Sequence, residues 1–113
     1  MAFLSKTAIL SADDFKYAVV ACPEWGGDIR VRGLTAAEQA MIARKVNDKK
    51  TEDIAVVVTI MGCVDENGER IFDNSDKDAL KVRSYAVLDR IAKKILELSG
   101  AGDADGIEEA RKN

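Results

Sequence analysis

The side chains of this sequence that could do chemistry are acids, arginines and two cysteines, because the chain contains no histidine. Histidine is the commonest general base and metal ligand near neutral pH, so its absence removes much of catalysis from consideration. No set of residues has the spacing of a catalytic, cofactor-binding or metal-binding motif. We therefore expect a protein that is not an enzyme and that needs no cofactor.

The acidic stretch at residues 65–69 invites comparison with a calcium loop. That motif requires glycine at the sixth position and a bidentate glutamate at the twelfth. Counted from Asp65, those positions hold Arg70 and Asp76. The stretch also contains Asn67-Gly68, a common turn dipeptide, so a hydrophilic turn is the better interpretation.

A second acidic cluster, at Asp73, Asp76 and Asp78, has the composition of a divalent-cation site. The same acids also suit the start of a helix, where Asp73 or Ser75 would cap the first turn and the others would oppose the helix dipole. The helix start accounts for the cluster without a metal.

The two cysteines, Cys22 and Cys63, are each embedded among apolar residues. In a reducing compartment such residues are usually buried free thiols. We predict buried thiols rather than a disulfide or a ligand pair.

Three residues are candidates for binding a partner: Trp25, Arg30 and Arg32. The two arginines alternate along a predicted strand and could contact a phosphate backbone, as β-ribbon proteins do, but they also fit a solvated outer face. Trp25 stands beside a proline and two glycines at a predicted hairpin end. It either folds back onto the hairpin or anchors a partner. The Gly26-Gly27 pair lacks the Lys-Ser or Lys-Thr of a phosphate loop.

Charge and length limit the class of protein. The formal charge is −3, with a basic excess in residues 28–50 and an acidic excess in residues 65–78. A sequence pI near 5.0 makes nucleic-acid binding unlikely and favours a protein surface as the partner. The first residues are too weakly apolar for a secretory signal, and no segment has the length of a membrane span. We expect one domain, residues 1–100, in the cytoplasm.

The central element is the uncharged run at residues 54–64. Its β-branched residues and the following Asn67-Gly68 are compatible with a strand and a hairpin. Its length of eleven residues, and Thr51 followed by two acids, favour a helix over residues 52–64 with Thr51 as N-cap. We predict a buried helix.

An antiparallel hairpin is predicted at residues 15–33, with the turn at Pro23 to Gly27. Alternation places Phe15, Tyr17, Val19 and Ala21 on one face of its first strand, with Lys16 on the other. In the second strand, Ile29 and Val31 face the core, while Arg30 and Arg32 face outward. This two-stranded ribbon has open edges, which predict weak homo-oligomerisation.

Two further helices are predicted. A capping box formed by Thr35 and Glu38 begins a helix over residues 35–48, and an apolar stripe defines a helix over residues 75–99. Residues 1–14 give a weak signal, and residues 101–113 suggest a flexible polar tail. The predicted fold class is α+β, mainly α: an N-terminal antiparallel hairpin packed on about three helices.

The sequence of residues 19–38 is the most distinctive stretch. It contains Pro-Glu-Trp-Gly-Gly at residues 23–27, Arg-Val-Arg at 30–32 and Leu-Thr at 34–35. Together with the turn at Asn67-Gly68, Ile71-Phe72, the acidic helix start and a last helix ending in Leu-Ser-Gly, this order resembles the tail assembly chaperones of long-tailed, siphovirus-type (lambda-like) bacteriophages. The resemblance covers roughly residues 10–100.

The resemblance implies a non-enzymatic protein of the host cytoplasm that is absent from the mature virion. Its expected partners are the tape-measure protein, the major tail (tube) protein and further copies of itself. It also implies a longer form made by translational frameshifting, for which a slippery heptamer would lie across Lys112 and Asn113. Two alternatives remain open: a small phage nucleic-acid-binding regulator that uses Arg30 and Arg32, and a structural tail terminator or connector.

Overall fold

The computed structural model describes residues 3–100, which form an α+β domain of five α-helices and one three-stranded antiparallel sheet. The strands are β1 (Tyr17–Cys22), β2 (Gly27–Arg32) and β3 (Cys63–Val64). The helices are α1 (Lys6–Ser11), α2 (Ala36–Asn47), α3 (Ile54–Gly62), α4 (Lys77–Lys81) and α5 (Tyr85–Leu98). The predicted fold class is confirmed. The predicted polar tail at residues 101–113 lies outside the described residues.

The predicted hairpin is present, with β1 and β2 antiparallel and Val20 opposite Ile29. The ribbon is not two-stranded, however, because β3 pairs antiparallel with β2 through Val31 and Cys63. The chain passes directly from α3 into this short strand and turns back through Gly68, whose φ is +82°. The prediction of a helix through residue 64 is wrong for its last two residues, Cys63 and Val64, which form β3.

The two faces of the sheet differ in burial. Val20 and Cys22 of β1 and Val31 of β2 are buried against the helices. The other face of β1 carries Tyr17, Val19 and Ala21, as predicted, but this is the outer face, and Val19 is 64% exposed. Both faces of β1 are apolar, so alternation alone identifies two faces without indicating which one is buried.

Helix α2 begins where the sequence predicted. The Thr35 hydroxyl oxygen accepts a hydrogen bond from the Glu38 amide at 3.1 Å, and the Glu38 carboxylate accepts one from the Thr35 amide at 2.8 Å. This reciprocal pair satisfies two amides that the first turn leaves without helical partners.

The central apolar run is a helix, as predicted, but its start differs. Asp53 rather than Thr51 is the N-cap residue, and Asp53 makes no side-chain capping bond. The Asp53 carboxylate instead lies 3.0 Å from Lys45 Nζ of α2 and 2.6 Å from Lys77 Nζ of α4. The hydrogen bond from Lys77, helped by Lys45, lowers the pKa of Asp53 against the effect of burial. The carboxylate therefore links three helices.

The last predicted helix, residues 75–99, is two helices. Asp73 caps a short 3-10 turn that leads into α4, and the chain leaves the helical path before Ser84, the N-cap residue of α5. The sequence pattern did not predict this break, because the apolar residues Val82 and Tyr85 continue the helical spacing of apolar residues across it. They are 73% and 71% exposed, so at these positions the pattern does not mark the core.

The core lies between the sheet and the pair α3 and α5. Val58 and Ile91, one from each helix, are both fully buried. A second buried cluster on α3, α4 and α5 consists of Val56, Ile60, Leu80 and Leu88. Trp25, Ala55 and Phe72 contact both clusters and join them.

Both cysteines are fully buried, as predicted. Burial raises the pKa of the Cys63 thiol to about 12 and also raises that of Cys22. At neutral pH both side chains are therefore protonated and behave as small apolar groups.

The N-terminal segment, which the sequence left mostly unassigned, forms α1. Its N-cap is Ser5, whose hydroxyl oxygen accepts from the Ala8 amide at 3.1 Å. The helix buries none of its residues, and Phe3, Leu4, Ile9 and Leu10 are all exposed. Among residues 3–100, no helix combines the length and apolar character needed to cross a membrane.

Candidate protein-binding surface

Arg32, one of the predicted binding residues, lies on the outer face of the sheet but is not free for a partner. It is 8% exposed, and its guanidinium makes two parallel hydrogen bonds to the Glu38 carboxylate, at 3.0 and 3.2 Å. It also donates to the Gly33 carbonyl at 2.7 Å and stacks over the Phe15 ring at 4.6 Å. The interpretation of this arginine as part of a solvated face is wrong, because Glu38 and the Phe15 ring cover its guanidinium.

The Glu38 carboxylate is the centre of this cluster. Burial opposes its ionisation, but hydrogen bonds from Arg32, the Thr35 amide and Arg70 outweigh that effect and lower the pKa of Glu38 to about 2. Arg70 reaches the cluster from the far side of the turn that follows β3. The hydrogen bonds of this cluster thus hold β2, the start of α2 and this turn together.

The Arg30 side chain also binds groups of this chain. Its Nη1 donates to the carbonyls of Asp65 and Glu66 at 3.0 and 3.3 Å, and its guanidinium lies 4.2 Å from the centre of the Tyr17 ring. Arg30 and Arg32 share one sheet face, as alternation predicted. Their positive charges are used to hold the acidic turn and α2 in place.

The acidic turn 65–69 is a hydrophilic turn, as the sequence suggested. Asp65 Oδ1 accepts from the amides of Asn67 and Glu69 at 2.8 and 3.0 Å, so this carboxylate shapes the turn. Within residues 3–100, no group of three or more acids and cysteines is arranged to hold a metal ion.

Trp25, the third predicted binding residue, lies apart from the two arginines, at the hairpin end on the helix side of the sheet. It is half-buried and packs against both core clusters. Of the two roles compatible with its sequence position, folding back onto the domain accounts for the part of Trp25 that contacts the core. The rest of its surface lines a groove of about 390 Å³ with Phe72, Leu80, Glu24 and Arg83.

The hairpin end that carries Trp25 is held in place by an ion pair. Arg90 of α5 makes two hydrogen bonds to the Glu24 carboxylate, at 2.9 and 2.6 Å, and a third to the Ala21 carbonyl at 3.1 Å. The hydrogen bonds from Arg90 lower the pKa of Glu24 to about 2. Glu24, which lines the groove beside Trp25, is therefore held in one position.

A second groove, of about 320 Å³, adjoins the first and shares Arg83 with it. Its apolar lining comes from Ala55, Val56, Tyr85 and Leu88, and its charged lining from Glu52, Asp53, Lys81 and Arg83. We call the two grooves together the Trp25–Tyr85 surface. It combines an apolar floor with a rim of both charges, which is typical of protein-binding sites.

Of the residues that line this surface, only Trp25 was predicted from the sequence to bind a partner. Leu80, Arg83 and Tyr85 belong to a stretch that was predicted as one continuous helix, in which they would not form a groove wall. The available signal was Ser84, a favourable N-cap residue inside the apparent helix. A start signal within a periodic stretch indicates two helices.

The fold is that of a small α+β domain in which a three-stranded antiparallel sheet is covered on one face by helices. Among solved structures, one described as "Structure of bacteriophage HK97 tail assembly chaperone" is similar, with a TM-score of 0.62 and 20% sequence identity. The match covers 81% of this chain and 90% of that chain. No protein-family model and no curated protein matches the sequence.

Proposed function

We propose that this protein is a non-enzymatic tail assembly chaperone of a long-tailed phage. The observation that carries the proposal is the fold it shares with the HK97 tail assembly chaperone over 81% of its length. The distinctive sequence at residues 19–38 independently suggests the same class of protein. In this proposal the protein acts in the host cytoplasm, binds the tape-measure protein, helps to recruit tail-tube subunits and is absent from the mature virion.

The Trp25–Tyr85 surface is the proposed site for the tape-measure protein, an elongated and largely helical client. An amphipathic helix places its apolar residues at spacings of three and four, and these would enter the two grooves in turn. The rim supplies an anion at Glu52 and cations at Lys81 and Arg83 for the flanking polar residues. Several copies of the chaperone along one client would give firm binding from individually weak contacts.

The test is capture of purified tape-measure fragments by the full chain. Tyr85→Ala and Arg83→Glu should each weaken capture by about tenfold, the effect of losing a well-placed contact at an interface. Tyr85 is 71% exposed, so its substitution should leave the melting temperature within a few degrees. Met41→Ala on α2, at a position that is 48% exposed, is the matched control and should capture normally.

Two outcomes would contradict the proposal. Unchanged capture by both variants would exclude this surface as the client site. Absence of any binding between the wild-type protein and tape-measure fragments, together with its retention in purified particles, would favour a structural terminator or connector. The nucleic-acid alternative loses its main motivation, because Arg30 and Arg32 are engaged by groups of this chain.

A further inference from the structure

Arg83 lies where the two grooves of the Trp25–Tyr85 surface meet, because it lines both of them. It stands in the short connection between α4 and α5, where its amide donates to the Leu80 carbonyl at 3.0 Å. This bond fixes the backbone from which the side chain extends. Val82 and Tyr85, on either side of it in the sequence, are 73% and 71% exposed. A segment that filled both grooves would therefore pass the guanidinium of Arg83.

Two of the acids that line this surface already have partners within the chain. The Glu24 carboxylate accepts from Arg90 at 2.9 and 2.6 Å. The Asp53 carboxylate lies 3.0 Å from Lys45 Nζ and 2.6 Å from Lys77 Nζ. These two acids are therefore neutralised by groups outside the grooves.

Arg83 differs from these neutralised groups. Within residues 3–100, no acid forms an ion pair with it, and its side chain is exposed. A guanidinium can bind a carboxylate through two parallel hydrogen bonds. Lys81 also makes no ion pair within these residues, but it lines the second groove alone. Arg83 is thus the cation best placed to contact a segment that occupies both grooves.

We propose that Arg83 selects which segments bind the Trp25–Tyr85 surface, by taking a Glu or Asp that stands between two apolar residues of an amphipathic helix. Each apolar residue would fill one groove. This selection rests on the proposed function, because the tape-measure protein would supply the helix. A Lys at the same position would place two cations together, so the site also rejects the wrong segment. Glu52 puts an anion on the rim of the second groove, which disfavours a uniformly acidic ligand such as nucleic acid.

Trp25 provides the measurement, because it is the only tryptophan of the chain and lines the first groove. Three synthetic helical peptides without tryptophan would be titrated into the full chain and followed by its fluorescence. The peptides share two apolar residues about two helical turns apart. They differ only at one residue between these two, on the same face, which is Glu, Gln or Lys.

The wild-type protein should bind the Glu peptide about fivefold more tightly than the Gln peptide, which is the upper range for an ion pair open to solvent. The Lys peptide should bind most weakly, and the preference for Glu should shrink as salt is added. Arg83→Gln should bind the Glu and Gln peptides equally. Arg83→Glu should prefer the Lys peptide.

Lys16→Glu is the matched control. Lys16 is exposed and lies at the end of the hairpin opposite Trp25, so this variant makes the same change of charge away from the grooves. It should keep the wild-type order of the three peptides. Melting temperatures of all variants check that the fold is kept.

Three results would each overturn the proposal: equal binding of the Glu and Gln peptides by wild type, a preference for Glu that survives in Arg83→Gln, or unchanged fluorescence with every peptide. Capture of tape-measure fragments tests the proposed function separately. Captured fragments without a preference for the Glu peptide would overturn the selection by Arg83 alone. A preference for the Glu peptide that is lost in Arg83→Gln, without capture of fragments, would support the selection and remove the tape-measure protein as its source.

Discussion

Arg32, the last residue of β2, donates two hydrogen bonds to the carboxylate of Glu38 in the first turn of α2, from Nη1 at 3.0 Å and from Nη2 at 3.2 Å. The same carboxylate completes the capping box of α2 through the Thr35 amide. One buried acid therefore fixes both the start of the helix and its position on the sheet. Removal of Glu38 would leave the buried Arg32 without its charge partner, whereas removal of Arg32 would leave Glu38 paired with Arg70 alone.

The stability of the protein should depend on pH through Glu38. Its pKa is about 2 in the folded protein, below its ordinary value of 4.5. Such a group stabilises the fold above pH 4.5, and the contribution is lost as pH falls from 4.5 towards 2. At pH 3 the loss attributable to Glu38 should be about 2 kcal/mol. Urea unfolding at pH 7 and pH 3 measures it. Glu38→Gln should reduce this pH dependence, and an unchanged dependence in that variant would contradict the assignment.

Arg32→Glu and Arg30→Glu should differ sharply. Reversal of the buried Arg32 places two carboxylates against each other and should cost about 4 kcal/mol of stability. Arg30 is less buried and bonds to backbone carbonyls, so its reversal should cost about 1 kcal/mol. Denaturant unfolding of both variants provides the comparison. Equal effects would show that Arg32 is as solvated as the alternation of strand residues alone suggests.

Gly62→Ala should destabilise the contact between α3 and α5. A Cβ at Gly62 would lie 2.5 Å from Cδ1 of Ile95, which is fully buried. Overpacking of this kind costs about 1–3 kcal/mol. Gly27→Ala is the control, because its Cβ would meet nothing within 4 Å. The double variant Gly62→Ala with Ile95→Val should recover part of the loss in thermal melts.

Asp substitutions on α3 and α5 should report how deeply each position is buried. Val58→Asp and Ile91→Asp each place a charge at a fully buried site and should cost several kcal/mol, about 4 or more. Val57→Asp should cost less, because Val57 is only partly buried. Unfolding in urea ranks the three variants. A Val57 variant less stable than the Val58 variant would mean that α3 presents a different face to the core.

The local chemistry of the sequence was sufficient for most of the elements. The run at residues 54–64 lacks any charge and is long for a strand, which predicted a buried helix, and residues 54–62 form one. Thr35 and Glu38 stand at the spacing of a capping box, and the Pro and Gly residues at 23–27 mark the hairpin turn. Of the candidate binding surface, the sequence identified Trp25, since a lone aromatic at a hairpin end is visible without a structure.

The tertiary structure decided what depends on contacts between distant segments. Val19 and Val20 are equally apolar, so only the helices packed on one side of the sheet determine which of them is buried. Glu38 and Arg70 are 32 residues apart in the sequence. No local pattern predicts that Glu38 accepts a hydrogen bond from this second arginine. The break before Ser84 separates α4 from α5, and the structure places Arg83 and Tyr85 at this break, where they line the Trp25–Tyr85 surface. The spacing of residues along the chain determines the periodicity and the caps of its helices and strands. Which face of one element packs against which face of another is determined only when the chain folds.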